Sequence, residues 1–173
     1  VMYGNEIHKL RKHFLENLTP VFNSYYKQIS SNKEKVKLEY KSQLNYKSFS
    51  SLLKENIEKD KHSFNTSCGI HKDDIIFQMN NYSVKKIGSQ GQQKSFLISL
   101  KLAQFDFITN KLGFKPILLL DDIFDKLDDK RVEKLISFTS NGTFSQIFIT
   151  DTHEERSKTI LKKTGIDFKI FKL

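Results

Sequence analysis

Ile-Leu-Leu-Leu-Asp-Asp at 117–122 is the stretch on which the fold turns. Four consecutive apolar residues lack the alternation of a half-wet strand, so 117–120 read as a strand covered on both faces, as parallel sheets require. Ile147-Phe148-Ile149 repeats the pattern, and Val132, Leu135 and Ile136 between them fall at helical spacing. The last third is therefore β-α-β in character, and the fold class is α/β. Asp121 and Asp122 stand at the strand's C-terminal end, where open α/β sheets bind ligands. One carboxylate there can hold a Mg2+ that takes its other ligands from water and nucleotide phosphates, and a second can orient or deprotonate an attacking water. Asp121 is assigned the first role and Asp122 the second. Alone, an Asp-Asp pair reads more readily as the end of a strand and the start of a turn.

The companion stretch is Gly88-Ser-Gln-Gly-Gln-Gln93, a small-residue loop leading into a helix that runs from about Gln92 to Leu112. Phe96, Leu100, Ala103 and Phe107 line one face of that helix, and Gly113 ends it. Free backbone N–H groups and the helix dipole at such a start favour phosphate. Gly91 permits close approach and Ser89 offers a hydroxyl. The same residues could also serve as an ordinary helix cap.

Further upstream, Ile7, Leu10, Phe14, Leu15 and Leu18 mark one helix. Thr19-Pro20 is expected to stop it and open a second bearing Val21, Phe22, Tyr25, Tyr26 and Ile29. Val36, Leu38 and Tyr40 alternate with charged residues as a half-buried strand, and Ile75, Phe77 and Met79 form another. Between them, 48–60 read as a short helix with Leu52, Leu53 and Ile57 inward.

The chain has 173 residues and 15 Phe, enough to bury a core, and a net charge of +9 carried mostly by Lys, with Arg only at positions 11, 131 and 156. That balance suits a polyanion, held through phosphate attraction without base readout, for which Arg is the usual residue. It equally describes a solvated Lys-rich surface. A single cysteine, Cys68, excludes an internal disulfide, and no apolar run is long enough to span a bilayer, so a cytoplasmic setting is expected. Cys68 with His62 and His71 makes a poor zinc set, lacking a C-x-x-C partner. Residues 91–95, Gly-Gln-Gln-Lys-Ser, superficially resemble a P-loop but have Gln93 where its second glycine belongs.

Taken together, these motifs resemble the C-terminal part of an ABC-type P-loop ATPase head, and in detail the RecF family of DNA repair proteins. Ser89-Gln-Gly-Gln-Gln93 matches that family's signature, 117–122 its Walker B strand, and Asp125-Lys-Leu-Asp128 its D-loop. Gly69-Ile-His-Lys-Asp-Asp74 is similar to the family's Gly-Pro-His-Arg-Asp-Asp, with Ile70 and Lys72 departing and His71 matching. The resemblance implies a helical arm-lobe segment over 1–32 and the C-terminal part of the head over 33–173. It implies ATP and Mg2+ as cofactors and an ATP-dependent homodimer in which Ser89, Gln90, Gly91 and Gln92 reach the nucleotide across the interface. Asp128 would report on the opposite site. Asp122 stands where many ABC proteins carry Glu, implying a weak base and slow hydrolysis. The switch position falls on Asp151 by strict alignment, or on His153 two residues later. The implied partners are single-stranded or gapped DNA, bound without sequence preference, and RecO and RecR.

Two other readings compete: a metal-dependent nuclease using Asp121, Asp122, Asp125 and Asp128, and a non-catalytic dimerisation module. The nuclease reading leaves 89–93 unexplained, whereas the module would dimerise through the signature face without turnover. No Walker A motif is present, so the chain is expected to be a piece or partner of a longer protein, a weak ATPase only when an upstream segment completes it.

Overall fold

The computed structural model describes residues 1–122, 126–140, 144–163, 165 and 167–172. Helix α1 (Met2–Ile29) leads into β1 (Val36–Lys41) and α2 (Phe49–Ser63), then the hairpin β2 (Asp74–Met79) and β3 (Tyr82–Ser83). A single turn, α3 (Val84–Ile87), precedes the long α4 (Gln90–Leu112). The chain then runs through β4 (Leu118–Leu120), α5 (Asp129–Ser140), β5 (Ile147–Ile149) and α6 (Glu154–Lys163).

The expected break at Thr19-Pro20 does not occur: α1 is one helix with Pro20 inside it. An interior proline removes one backbone hydrogen bond and opposes the helix by about 3 kcal/mol. Tertiary packing outweighs this, because Leu15, Leu18, Phe22, Tyr26 and Ile29 form one buried stripe that runs straight through the proline. The expected alternating strands pair as an antiparallel sheet, with Val36 opposite Met79 and Lys41 opposite Asp74. Asn80 and Asn81, both at positive φ, make the tight turn into β3, a conformation that asparagine tolerates. In α2, Leu52 is buried, whereas Ile57 points outward rather than inward, at 45% exposure.

Helix α4 divides the core. Phe96 and Ala103 join Phe22, Tyr26, Leu38 and Met79 on one side, with Leu100 and Phe107 packed against that cluster. On the other side Ile98, Leu102 and Phe105 meet Leu118, Leu120, Val132, Leu135, Ile136 and Ile160. The apolar face expected along Phe96, Leu100, Ala103 and Phe107 is thus half of what α4 buries. Strands β4 and β5 are parallel neighbours, Leu120 opposite Ile149, with α5 as the crossover. Their expected burial on both faces is not found: Leu118 and Leu120 are buried, but Leu119 is 71% and Phe148 46% exposed. The described helices cover one face of this two-stranded sheet, and the pleat turns alternate residues to the other.

Candidate functional site

Ser89 is the N-cap of α4 in a reciprocal capping box: its Oγ accepts from the Gln92 amide at 3.3 Å, and the Gln92 Oε1 accepts from the Ser89 amide at 2.8 Å. The cap fixes the entry of the chain, so the helix start faces outward with Ser89 and Gln90 exposed and Gly91 and Gln92 half-buried. Gln92 is turned inward as well, its Nε2 donating to Glu34 at 3.0 Å. Gly91 has a reason the sequence did not disclose: a Cβ there would lie 2.8 Å from the Lys126 carbonyl oxygen. Only glycine lets α4 sit this close to the loop beyond β4.

The acidic strand end is tied to the same helix, because Lys94 Nζ donates to the Asp122 carbonyl. Asp121 is exposed just beyond β4, its carboxylate accepting from the Thr150 hydroxyl. The Asp122 amide bonds to the Thr150 carbonyl at 3.1 Å, continuing the parallel ladder past the strand ends. Asp122 adopts φ +48°, in the left-handed region. An exposed carboxylate beside a hydroxyl is the hard-oxygen donor chemistry that suits Mg2+. Asp125, part of the expected D-loop and of the nuclease reading, lies outside the described residues.

Asp128 caps α5, accepting from the Arg131 amide at 2.9 Å, and its other oxygen meets Arg131 Nε at 3.2 Å. Past β5, Asp151 accepts from the Ser157 hydroxyl, while His153 is exposed with Nδ1 3.0 Å from the Thr152 hydroxyl. His71 stands apart from this region, its Nε2 3.1 Å from the Thr66 carbonyl oxygen, on a groove with Arg11, Tyr40 and Asp73. The structure therefore links Asp122 to α4 through Lys94, and Asp128 to α4 through Arg131 and Ser95, sets Asp121 against Thr150 at the neighbouring strand end, and leaves His71 elsewhere.

Sequence reasoning missed Glu34 and Arg131, which lie beneath this arrangement with side chains 10% and 14% exposed. Burial would raise the Glu34 carboxyl, yet hydrogen bonds from Gln92 and Tyr26 and the Arg131 charge outweigh it and hold it below its ordinary value. A signal was available: Arg is scarce here, and Arg11, Arg131 and Arg156 each bind a carboxylate together with a second acceptor. No helix among the described residues is long and apolar enough to cross a membrane.

No protein-family model matches the chain. Individual relatives do. The DNA replication and repair protein RecF of Flavobacterium johnsoniae is 52% identical over 171 residues, 99% of this chain and 48% of that protein. RecF of Bacteroides thetaiotaomicron is 44% identical over 98% of the chain and 46% of its own length. Among solved structures, a RecF–ATP structure of the RecFOR pathway superposes with a TM-score of 0.71 at 27% identity, covering 89% of this chain and 43% of that one. An Smc head domain, at 14% identity and a TM-score of 0.55, shares the fold. The chain spans about half the length of the curated relatives it matches. With 41–52% identity to RecF relatives over nearly all its residues, and a RecF structure superposing on 89% of it, this chain belongs to the RecF family.

Proposed function

We propose that this segment supplies the signature and Walker B portion of an ATP-operated DNA clamp acting in replication and repair in the cytoplasm. ATP closes a homodimer on single-stranded or gapped DNA, and slow hydrolysis releases it. The observation that supports this most is that α4 and the acidic strand end are in direct contact, through Gly91 against the Lys126 carbonyl and Lys94 on the Asp122 carbonyl. A phosphate-seeking helix start and a metal-seeking carboxylate so joined can serve two nucleotides at once. Asp121 faces the nucleotide of its own subunit, and Ser89, Gln90, Gly91 and Gln92 face that of the other.

In this reading Asp121 holds Mg2+, which when bound neutralises phosphate charge. Asp122 orients the attacking water and accepts its proton, and Asp151 or His153 senses the γ-phosphate. Asp128 reports on the opposite site. The remaining half of the protein supplies the P-loop and the strands that continue the sheet beside β4 and β5, so the segment alone binds ATP poorly and hydrolyses none. Residues 1–32 return from an arm lobe to the head. The Lys-rich surface holds DNA through its phosphates, without sequence preference. RecO and RecR are the partners that this family membership brings.

In a full-length protein carrying the segment, Asp122→Asn should abolish ATP hydrolysis while leaving ATP binding and ATP-driven dimerisation in place. Undiminished turnover by that variant would overturn the assignment of Asp122 as the base.

A further inference from the structure

Glu34 lies in the connection from α1 to β1, and Arg131 on the first turn of α5, 97 residues away. Glu34 Oε1 accepts from Arg131 Nη2 at 2.9 Å and from Gln92 Nε2 at 3.0 Å, and Oε2 accepts from the Tyr26 hydroxyl at 2.8 Å. Arg131 turns its remaining donors to α4 and to the cap of its own helix, where the loop beyond β4 ends. Nη1 reaches Ser95 Oγ at 2.8 Å, and that hydroxyl donates onward to the Gly91 carbonyl at 2.7 Å. Nε reaches Asp128 Oδ2 at 3.2 Å.

A buried ion pair adds little net stability over well-packed apolar residues, because desolvation offsets the attraction. What it does supply here is direction. The planar guanidinium has a fixed fork of donors, so three segments bonded to it cannot shift independently, whereas a lysine ammonium offers one point. Of the positions assigned to phosphate or metal the pair touches Gln92 alone, through the side-chain Nε2 that donates to Glu34. It acts through Gln92 and Ser95 on one side and Asp128 on the other, and through Tyr26 on α1.

We propose that Glu34 and Arg131 are positioning residues that lock the signature start at Ser89 to the loop ending at Asp128 and to α1, so that contact with nucleotide at one is felt at the others. The proposal rests on the ATP-clamp reading for its functional consequence, but the mechanical link belongs to the chain itself.

In a full-length protein carrying the segment, Arg131→Lys and Glu34→Gln should leave the ATP dissociation constant within about twofold. They should weaken ATP-driven dimerisation on the order of tenfold or more, the loss of one charge-assisted hydrogen bond. Ser99→Ala, which removes a buried hydroxyl bonded to the Ser95 carbonyl outside this cluster, is the control for general loosening of α4. A double-mutant cycle between Gln92→Ala and Asp128→Ala should be non-additive in the unaltered protein and additive in the Arg131→Lys background. Additivity in the unaltered protein, or an equal loss of dimerisation in a Ser99→Ala variant of matched melting temperature, would overturn the proposal. Should the unaltered protein fail to dimerise with ATP, the clamp reading falls, and the link is then decided by amide exchange in the 173-residue chain. Arg131→Lys should speed exchange at 89–92 and 127–129 together, and acceleration confined to 127–129 would overturn it.

Discussion

On one side of α4, Phe96 packs on Phe22 with ring centroids 4.7 Å apart and lies within 6 Å of the rings of Tyr26 and Phe77, closing the space between α1 and the antiparallel sheet. On the other side, Leu102 and Phe105 back a two-stranded parallel sheet whose outer face still shows Leu119 and Phe148 to solvent. The first side is satisfied by residues within about one hundred positions of one another. The second leaves Leu119 and Phe148, partners across the ladder, side by side in solvent. A segment of this family can therefore hold a finished core and an unfinished one on a single helix. The site sits at the seam, since Ser89 opens α4 and Asp121 ends the exposed strand.

The sharpest way to break the comparison is Phe22→Ala, which removes a fully buried ring from the finished side and should destabilise the chain by about 3–5 kcal/mol in urea unfolding. A loss below about 1 kcal/mol would mean that this side is not the stable one. Gly91→Ala acts at the seam. Its Cβ meets a backbone carbonyl rather than a flexible side chain, so overpacking should cost about 1–3 kcal/mol, with faster amide exchange at 126–128 as the local mark.

Acid provides a gentler probe. The folded-state value of Glu34 is depressed, so its contribution is present above its ordinary value near 4.5 and is lost as pH falls through the lowered one. Glu34→Gln should flatten that acid limb of the stability curve, and an unchanged limb would remove Glu34 from the account. Least of all should Leu119→Ser matter to the chain alone, changing its stability by about 0.5 kcal/mol or less, because the side chain is already in water. In a full-length protein the same change should be clearly destabilising if, as proposed, the other half continues the sheet over this face. Equal effects in both would erase the contrast between the two sides.

Which parts of this were legible in the sequence follows from how local their causes are. The alternation over Val36, Leu38 and Tyr40, the apolar run of which Leu118–Leu120 forms β4, and Gly113 as the end of α4 each declare themselves within a few residues. Pro20 misled because a local rule was overridden by a stripe of side chains that only tertiary contact makes favourable. Leu119 misled because hydrophobic runs report which faces are buried in a complete sheet, not in the part described. Glu34 was unreadable for a different reason: its partners Gln92 and Arg131 lie 58 and 97 residues away. Ser89, Gly91 and Asp121 were legible as a motif, whereas the contact of Gly91 with the Lys126 carbonyl needed the fold.

The left-handed backbone of Asp122 bears on the choice of residue there. Positive φ is strained for most side chains, and aspartate and asparagine enter it several-fold more readily than others. Aspartate at this strand end thus suits the backbone conformation, a fit separate from the base role proposed for it. Glutamate would bring a longer reach at the expense of a less tolerant backbone, and asparagine changes the charge while leaving the turn undisturbed.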